Sequence, residues 1–176
     1  MRTRAIAISS TVCALVLATA IPAAADPGET TLSVTVTGGS LSMTVQAAAG
    51  SLGSRANTVQ AGIISGPLGE VQVLDSRSAA AGSGWIVKVI STALTPTSGP
   101  TIGAAAIGYT AGPITKTGTA TFTANDPPDL TGAVAAVTAT GITGGNSATW
   151  NPTVNVHVRG GTVAGTYTGT ITHSLT

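Results

Sequence analysis

Apolar and hydroxyl side chains alternate along this chain with a period of two, and that pattern excludes most folds at once. Leu32, Val34 and Val36 alternate with Ser33, Thr35 and Thr37; after Gly38-Gly39, Leu41, Met43 and Val45 alternate with Ser42 and Thr44. Successive side chains of a strand point to opposite faces, so such a run buries one face and wets the other. Two runs joined by Gly-Gly predict a β-hairpin over 32–45. Further strands are expected at 71–74, 85–90, 117–124, 133–140, 153–159 and 166–175. Turn chemistry lies between them at Gly66-Pro67, 97–100, 125–129, 141–146 and Gly160-Gly161, and residues 47–57 have the small, glycine-punctuated composition of a loop. No stretch shows helical periodicity with caps, Ala104–Ala106 being too short, and no internal repeat occurs. The expectation is an all-β fold, a single Ig-like/Greek-key β-sandwich or barrel of short antiparallel strands.

The same alternation assigns faces. Val154, Val156 and Val158 share one side of their strand, with Asn155, His157 and Arg159 on the other. Tyr167, Ile171, His173 and Leu175 lie opposite Thr166, Thr168, Thr170 and Thr172, which puts His173 on the apolar side and His157 on the wet side.

Residues 1–25 have the order of a secretory signal: Arg2 and Arg4, an apolar centre around Val12–Ala18, Pro22, then the small triplet Ala23-Ala24-Ala25. The apolar run is shorter than the roughly 20 residues that span a bilayer. Cleavage after Ala25 leaves one domain over 26–176, secreted and either extracellular or wall-associated. It removes the only cysteine, Cys13, and two of seven basic residues, leaving five against six acids and a net charge of −1. With charged residues at 7% of the chain, no basic patch exists to displace phosphate counterions, so nucleic acid is excluded as a partner. No membrane span is expected after signal removal. The C-terminus carries no hydrophobic tail followed by basic residues, so retention at a surface is expected to be non-covalent.

Catalytic motifs are missing. No Gly-x-Ser-x-Gly occurs, and the two histidines, His157 and His173, are far in sequence from any acid. Without a cysteine in the mature chain, and without His-x-x-x-His or an EF-hand pattern, no metal or cofactor is expected. Asp126 and Asp129 flank Pro127-Pro128 as turn formers rather than as a glycosidase pair, since the chain has too few aromatics to line a cleft. Those aromatics are Trp85, Tyr109, Phe122, Trp150 and Tyr167. They either supply the bulk of an Ala/Val core or, for one or two of them, stack on the C–H face of a sugar.

Two segments carry a family resemblance. One runs from Gly66-Pro67-Leu68-Gly69 through Glu70–Arg77 to Gly84-Trp85-Ile86-Val87; the other is Gly165-Thr166-Tyr167-Thr168-Gly169-Thr170-Ile171-Thr172-His173-Ser174-Leu175. Together they resemble the WxL domain of Gram-positive surface proteins, named for two Trp-x-Leu motifs. Here the first motif is Trp85-Ile86-Val87, and the second is His173-Ser174-Leu175, with histidine in place of tryptophan. The resemblance implies non-covalent attachment to the peptidoglycan of the cell wall, alongside other surface proteins. The candidate binding residues are then Trp85, Val87, Trp150, Tyr167, His173 and Leu175, assisted by rows of Thr and Ser hydroxyls. A second expectation is an interaction protein that pairs with other surface chains through exposed strand edges.

Overall fold

The computed structural model describes residues 31–78 and 80–176, so the expected export signal lies outside the described residues. The chain divides after Thr35, and all the described regular structure belongs to the unit Val36–Thr176. Its strands are β1 (Leu41–Val45), β2 (Gly62–Pro67), β3 (Val71–Asp75), β4 (Ser83–Ser91), β5 (Thr95–Pro96), β6 (Ile107–Thr110), β7 (Thr115–Ala124), β8 (Val134–Trp150), β9 (Thr153–Val158), β10 (Tyr167–Thr168) and β11 (Ile171–Leu175). Ala104–Ala106 form a single 3-10 turn. The molecule is all-β, as the alternation predicts.

Every strand pairing is antiparallel. The main sheet runs β1-β3-β8-β4-β11, a second sheet runs β2-β9-β6, and β5 pairs with β10. β8 organises the main sheet. Its residues 146–150 pair with β3 and 134–142 with β4, while β7 pairs along both parts. Because Val137–Thr138 bond both β4 and β7, and Ser147–Thr149 both β3 and β7, β3 and β4 share one edge of β8 and β7 occupies the other. The ends of the path, β1 and β11, approach each other, so the sheet nearly closes into a barrel.

The core sits between this sheet and β2-β9-β6. Val71 and Val73 enter from β3, Trp85, Val87 and Val89 from β4, and Val137, Ala139, Ile142, Ala148 and Trp150 from β8. Ile107 and Tyr109 on β6 and Val154 and Val156 on β9 cover them from the other side. Burying one such Val, Leu or Ile side chain contributes about 1.5–3 kcal/mol.

Three departures from expectation have physical causes. Leu32–Thr37 do not pair with β1: just before β1 the Gly39 N–H donates to Ser76 O and the Ser76 N–H to Ser40 O, so Gly39 and Ser40 bond the segment after β3 instead of turning into a hairpin. Neither Gly38 nor Gly39 takes the positive φ that a tight hairpin turn needs. Residues 141–146, expected as a turn, lie inside β8. Gly141 (φ 65°) and Gly144 (φ 72°) let the strand bend there and pass from β4 to β3 without ending. Finally, 166–175 is two strands, broken at Gly169, where an added Cβ would come within 2.7 Å of Leu94 Cδ2.

Candidate functional site

The six residues expected to bind a ligand fall into two groups. Trp85, Val87 and Trp150 are 2%, 0% and 2% exposed, which corrects the expectation that either indole stacks on a sugar from the surface. A core built mostly of valine and alanine takes both tryptophans as its bulk, and each indole N–H is satisfied internally. Trp85 Nε1 donates to Asn146 Oδ1 at 3.1 Å, and Trp150 Nε1 donates to the Tyr109 hydroxyl at 2.9 Å. Phe122 packs on Trp85 with ring centroids 5.7 Å apart, in the tilted arrangement aromatic pairs prefer. Leu175 is half-buried on β11 and pairs with Val87, so the two segments that carry the family resemblance are neighbouring strands.

Tyr167 and His173 reach an open cleft of about 850 Å³. The Tyr167 hydroxyl donates to Val163 O at 2.8 Å. His173 Nε2 lies 3.3 Å from the Tyr109 hydroxyl. The same hydroxyl accepts from Trp150, so Trp150, Tyr109 and His173 form one hydrogen-bonded chain. Burial pushes the His173 pKa down, favouring the neutral imidazole, and lifts the Tyr109 phenol to about 12.

The acids are occupied structurally. Asp126 accepts the Ala111 N–H at 2.8 Å, and Asp129 accepts from Thr131 N–H and Oγ1. Asp75, 0% exposed, receives Arg77 Nε at 2.9 Å and Nη2 at 2.8 Å, and the guanidinium holds its carboxyl down at about 2 against the opposing effect of burial. Asn146 Nδ2 is close enough to this carboxylate to favour the charged form, yet it makes no hydrogen bond of good geometry. Among the described residues no three His, Cys, Asp or Glu side chains gather to hold a metal.

The most regular polar surface lies on β7 and β8. Thr115, Thr117, Thr119, Thr121 and Thr123 alternate along β7 and are all exposed. Across the ladder they face Thr149, Ser147, Thr143, Thr140 and Thr138, so five consecutive hydroxyl pairs run down one face. Towards one end the rows widen over four strands. Thr44 and Gln72 continue the Thr149–Thr115 row, and Ser42 and Leu74 continue the Ser147–Thr117 row. Amides flank the ladder: Gln72 Nε2 donates to Thr149 Oγ1 at 3.4 Å, and Asn125 Nδ2 to Thr138 Oγ1 at 3.0 Å. Hydroxyls therefore repeat about every 4.8 Å across the strands and about 6.8 Å along β7, while on β8 two register shifts, on either side of Thr119, space the partners unevenly.

Individual residues of this ladder were not singled out from the sequence. The signal on β7 is the strict Thr-x-Thr alternation over 115–123. Its partner rows were hidden because 141–146 reads as a turn.

Compared with protein-family models, with curated proteins and with solved structures, the chain finds no match. Its own residues must carry the functional reading.

Proposed function

We infer that the protein is a secreted, non-catalytic surface domain that attaches non-covalently to cell-wall peptidoglycan, as a divergent relative of WxL domains. The observation that supports this most is the ladder of five Thr/Ser hydroxyl pairs on the β7–β8 face. A glycan strand presents hydroxyl and acetamido groups at regular intervals, and an uncharged array of donors and acceptors complements it without requiring ionic attraction. The hydroxyls are held by a paired backbone, so ordering them on binding costs little further entropy. The tryptophans support the fold beneath this surface rather than touching the polymer. The motif segments Trp85–Val87 and His173–Leu175 likewise act from within, as paired strands of the barrel wall.

The test is co-sedimentation of the purified protein with insoluble peptidoglycan. The wild type is expected in the pellet. The triple variant Thr117→Val, Thr119→Val, Thr121→Val keeps shape and strand propensity but removes three hydroxyls, and is expected to bind at least ten-fold more weakly. Wild-type protein left wholly in the supernatant, or a triple variant that binds undiminished, overturns the reading.

A further inference from the structure

The cleft of about 850 Å³ takes no part in the hydroxyl ladder, since no residue of β7 or β8 lines it. Its walls are β2 and β9, β11, and the segments that follow β1 and β9. Residues 46–58 lie against β2: a Cβ added at Gly66 would come within 2.5 Å of Leu52 O, and the Arg55 guanidinium covers Gly62. Residues 162–170 line the cleft as well. What these elements leave open has the size of a pocket for a small ligand.

Its chemistry changes from one end to the other. Leu52, Ile64, Leu94, Ile102, Val158 and Ile171 line it and are each only half-buried, so apolar surface remains open to an occupant. Arg55 and Arg159 are exposed, and the Gly62–Val158 pairing brings them to one end, because Arg55 covers Gly62 and Arg159 follows Val158. Arg55 Nη2 donates to Gln60 O at 3.2 Å and to Thr58 Oγ1 at 3.4 Å, which leaves its other guanidinium nitrogens free to donate to a ligand. Among the described residues neither arginine has an ion-pair partner, and no acid lines the cleft. Two positive charges at one end with no counter-charge attract an anion.

From that end, Val158, Val156 and Val154 follow one another along the cleft over about 13 Å. At Val154 lies its partner Tyr109, whose hydroxyl meets His173, and burial there favours the uncharged imidazole. The charge is therefore confined to the arginine end. Ser54, Thr58 and Thr166 also line the cleft but are exposed, so their hydroxyls keep water at its mouth.

We propose that this cleft binds a single-chain amphiphile, its hydrocarbon tail on the half-buried apolar side chains and its carboxylate or phosphate head held by Arg55 and Arg159. Either head accepts charge-assisted hydrogen bonds from a guanidinium, and the tail removes apolar surface from water.

Isothermal titration calorimetry of the purified protein, with each amphiphile below its micelle concentration, reads the site. Octanoate or octyl phosphate is expected to bind saturably at a single site, and the tighter of the two identifies the head group. Octanol, which lacks the charge, and acetate, which lacks the tail, bind at least ten-fold more weakly than the tighter anion. Arg55→Gln with Arg159→Gln lowers affinity for that anion at least ten-fold with an unchanged thermal midpoint, since both side chains are exposed. Val163→Asp gives an independent check, because Val163 lines the cleft, is 45% exposed and lies outside every strand. It keeps both arginines but adds a negative charge and is expected to weaken the anion by a similar factor. Absence of saturable binding by both anions, octanol binding as tightly as they do, or either variant binding undiminished overturns the proposal. Sedimentation of the double arginine variant with peptidoglycan is expected to be unimpaired, so failure of either idea is read separately from the other.

Discussion

At the scale of single residues, the chemistry of this protein is that of buried polar groups serving the fold. Arg77 depresses the Asp75 carboxyl from 3.8 to about 2, so the pair's contribution is complete above pH 3.8 and drains away as pH falls towards 2. Arg77 remains about a third exposed, and that screening keeps the contribution to about 1–2 kcal/mol. Chemical denaturation of Asp75→Asn should show a loss of that size at pH 7, and the gap from wild type should close near pH 2. A gap that persists at acid pH would mean the variant is damaged in packing rather than charge. His173 contributes in the same direction at milder pH. Burial holds its pKa below the usual 6.5, so stability is full above pH 6.5 and declines as acid forces a proton onto it. His173→Gln is expected to flatten the stability profile just below pH 6.5, measured by thermal unfolding. The sequence showed that His173 faces inward, from period two alone. It gave no hint of Tyr109 and Trp150 behind it, because that contact joins residues 64 and 41 positions apart.

Among the elements, β8 decides the architecture and was the hardest to read. Its outer stretches, 134–140 and 147–150, alternate as strands do, but the glycine-rich middle carries turn residues. In the structure those glycines bend a continuous strand instead of ending it, because pairing on both edges outweighs local turn preference. β2 and β6 escaped notice for a related reason: four to six residues interrupted by Gly, and in β2 ending in Pro, have too few alternations to stand out. By contrast β3, β4, β7 and β9 were legible to within a few residues, since β3, β4 and β9 each have a clear apolar face and β7 a strict Thr-x-Thr alternation. Gly118 tests the β7–β8 element directly. It sits at φ 89°, and a Cβ there would lie 2.5 Å from Gly145 O, at a register shift in the ladder. Gly118→Ala should cost about 1–3 kcal/mol and weaken wall binding by displacing the hydroxyl rows on either side. Gly132→Ala meets nothing within 4 Å and has no positive φ, so it should be neutral in both measurements. Equal effects from the two substitutions would remove the ladder from the argument.

For the whole molecule, low charge is the property that sets how it can hold a surface. After loss of Arg2 and Arg4 the expected net charge is −1, and the ten paired residues of the hydroxyl ladder carry no charge at all. Attraction to anionic wall polymers through basic residues would weaken steeply with ionic strength, because the screening length falls from about 10 Å at 0.1 M salt to about 3 Å at 1 M. Hydrogen bonds from Thr, Ser, Asn and Gln are short-range and neutral, so they escape that screening. Protein bound to purified peptidoglycan should therefore remain in the pellet when sodium chloride is raised from 0.1 to 1 M, with a change in Kd of less than about two-fold, or about 0.4 kcal/mol. Arg55 and Arg159 provide the contrast, because both line the cleft and, among the described residues, no acid lines it with them. Were these arginines the anchor, salt would release the protein and Arg55→Gln with Arg159→Gln would abolish binding at 0.1 M. The hydroxyl ladder predicts instead that the double arginine variant sediments like wild type at both salt concentrations, while the threonine-to-valine variant fails at both.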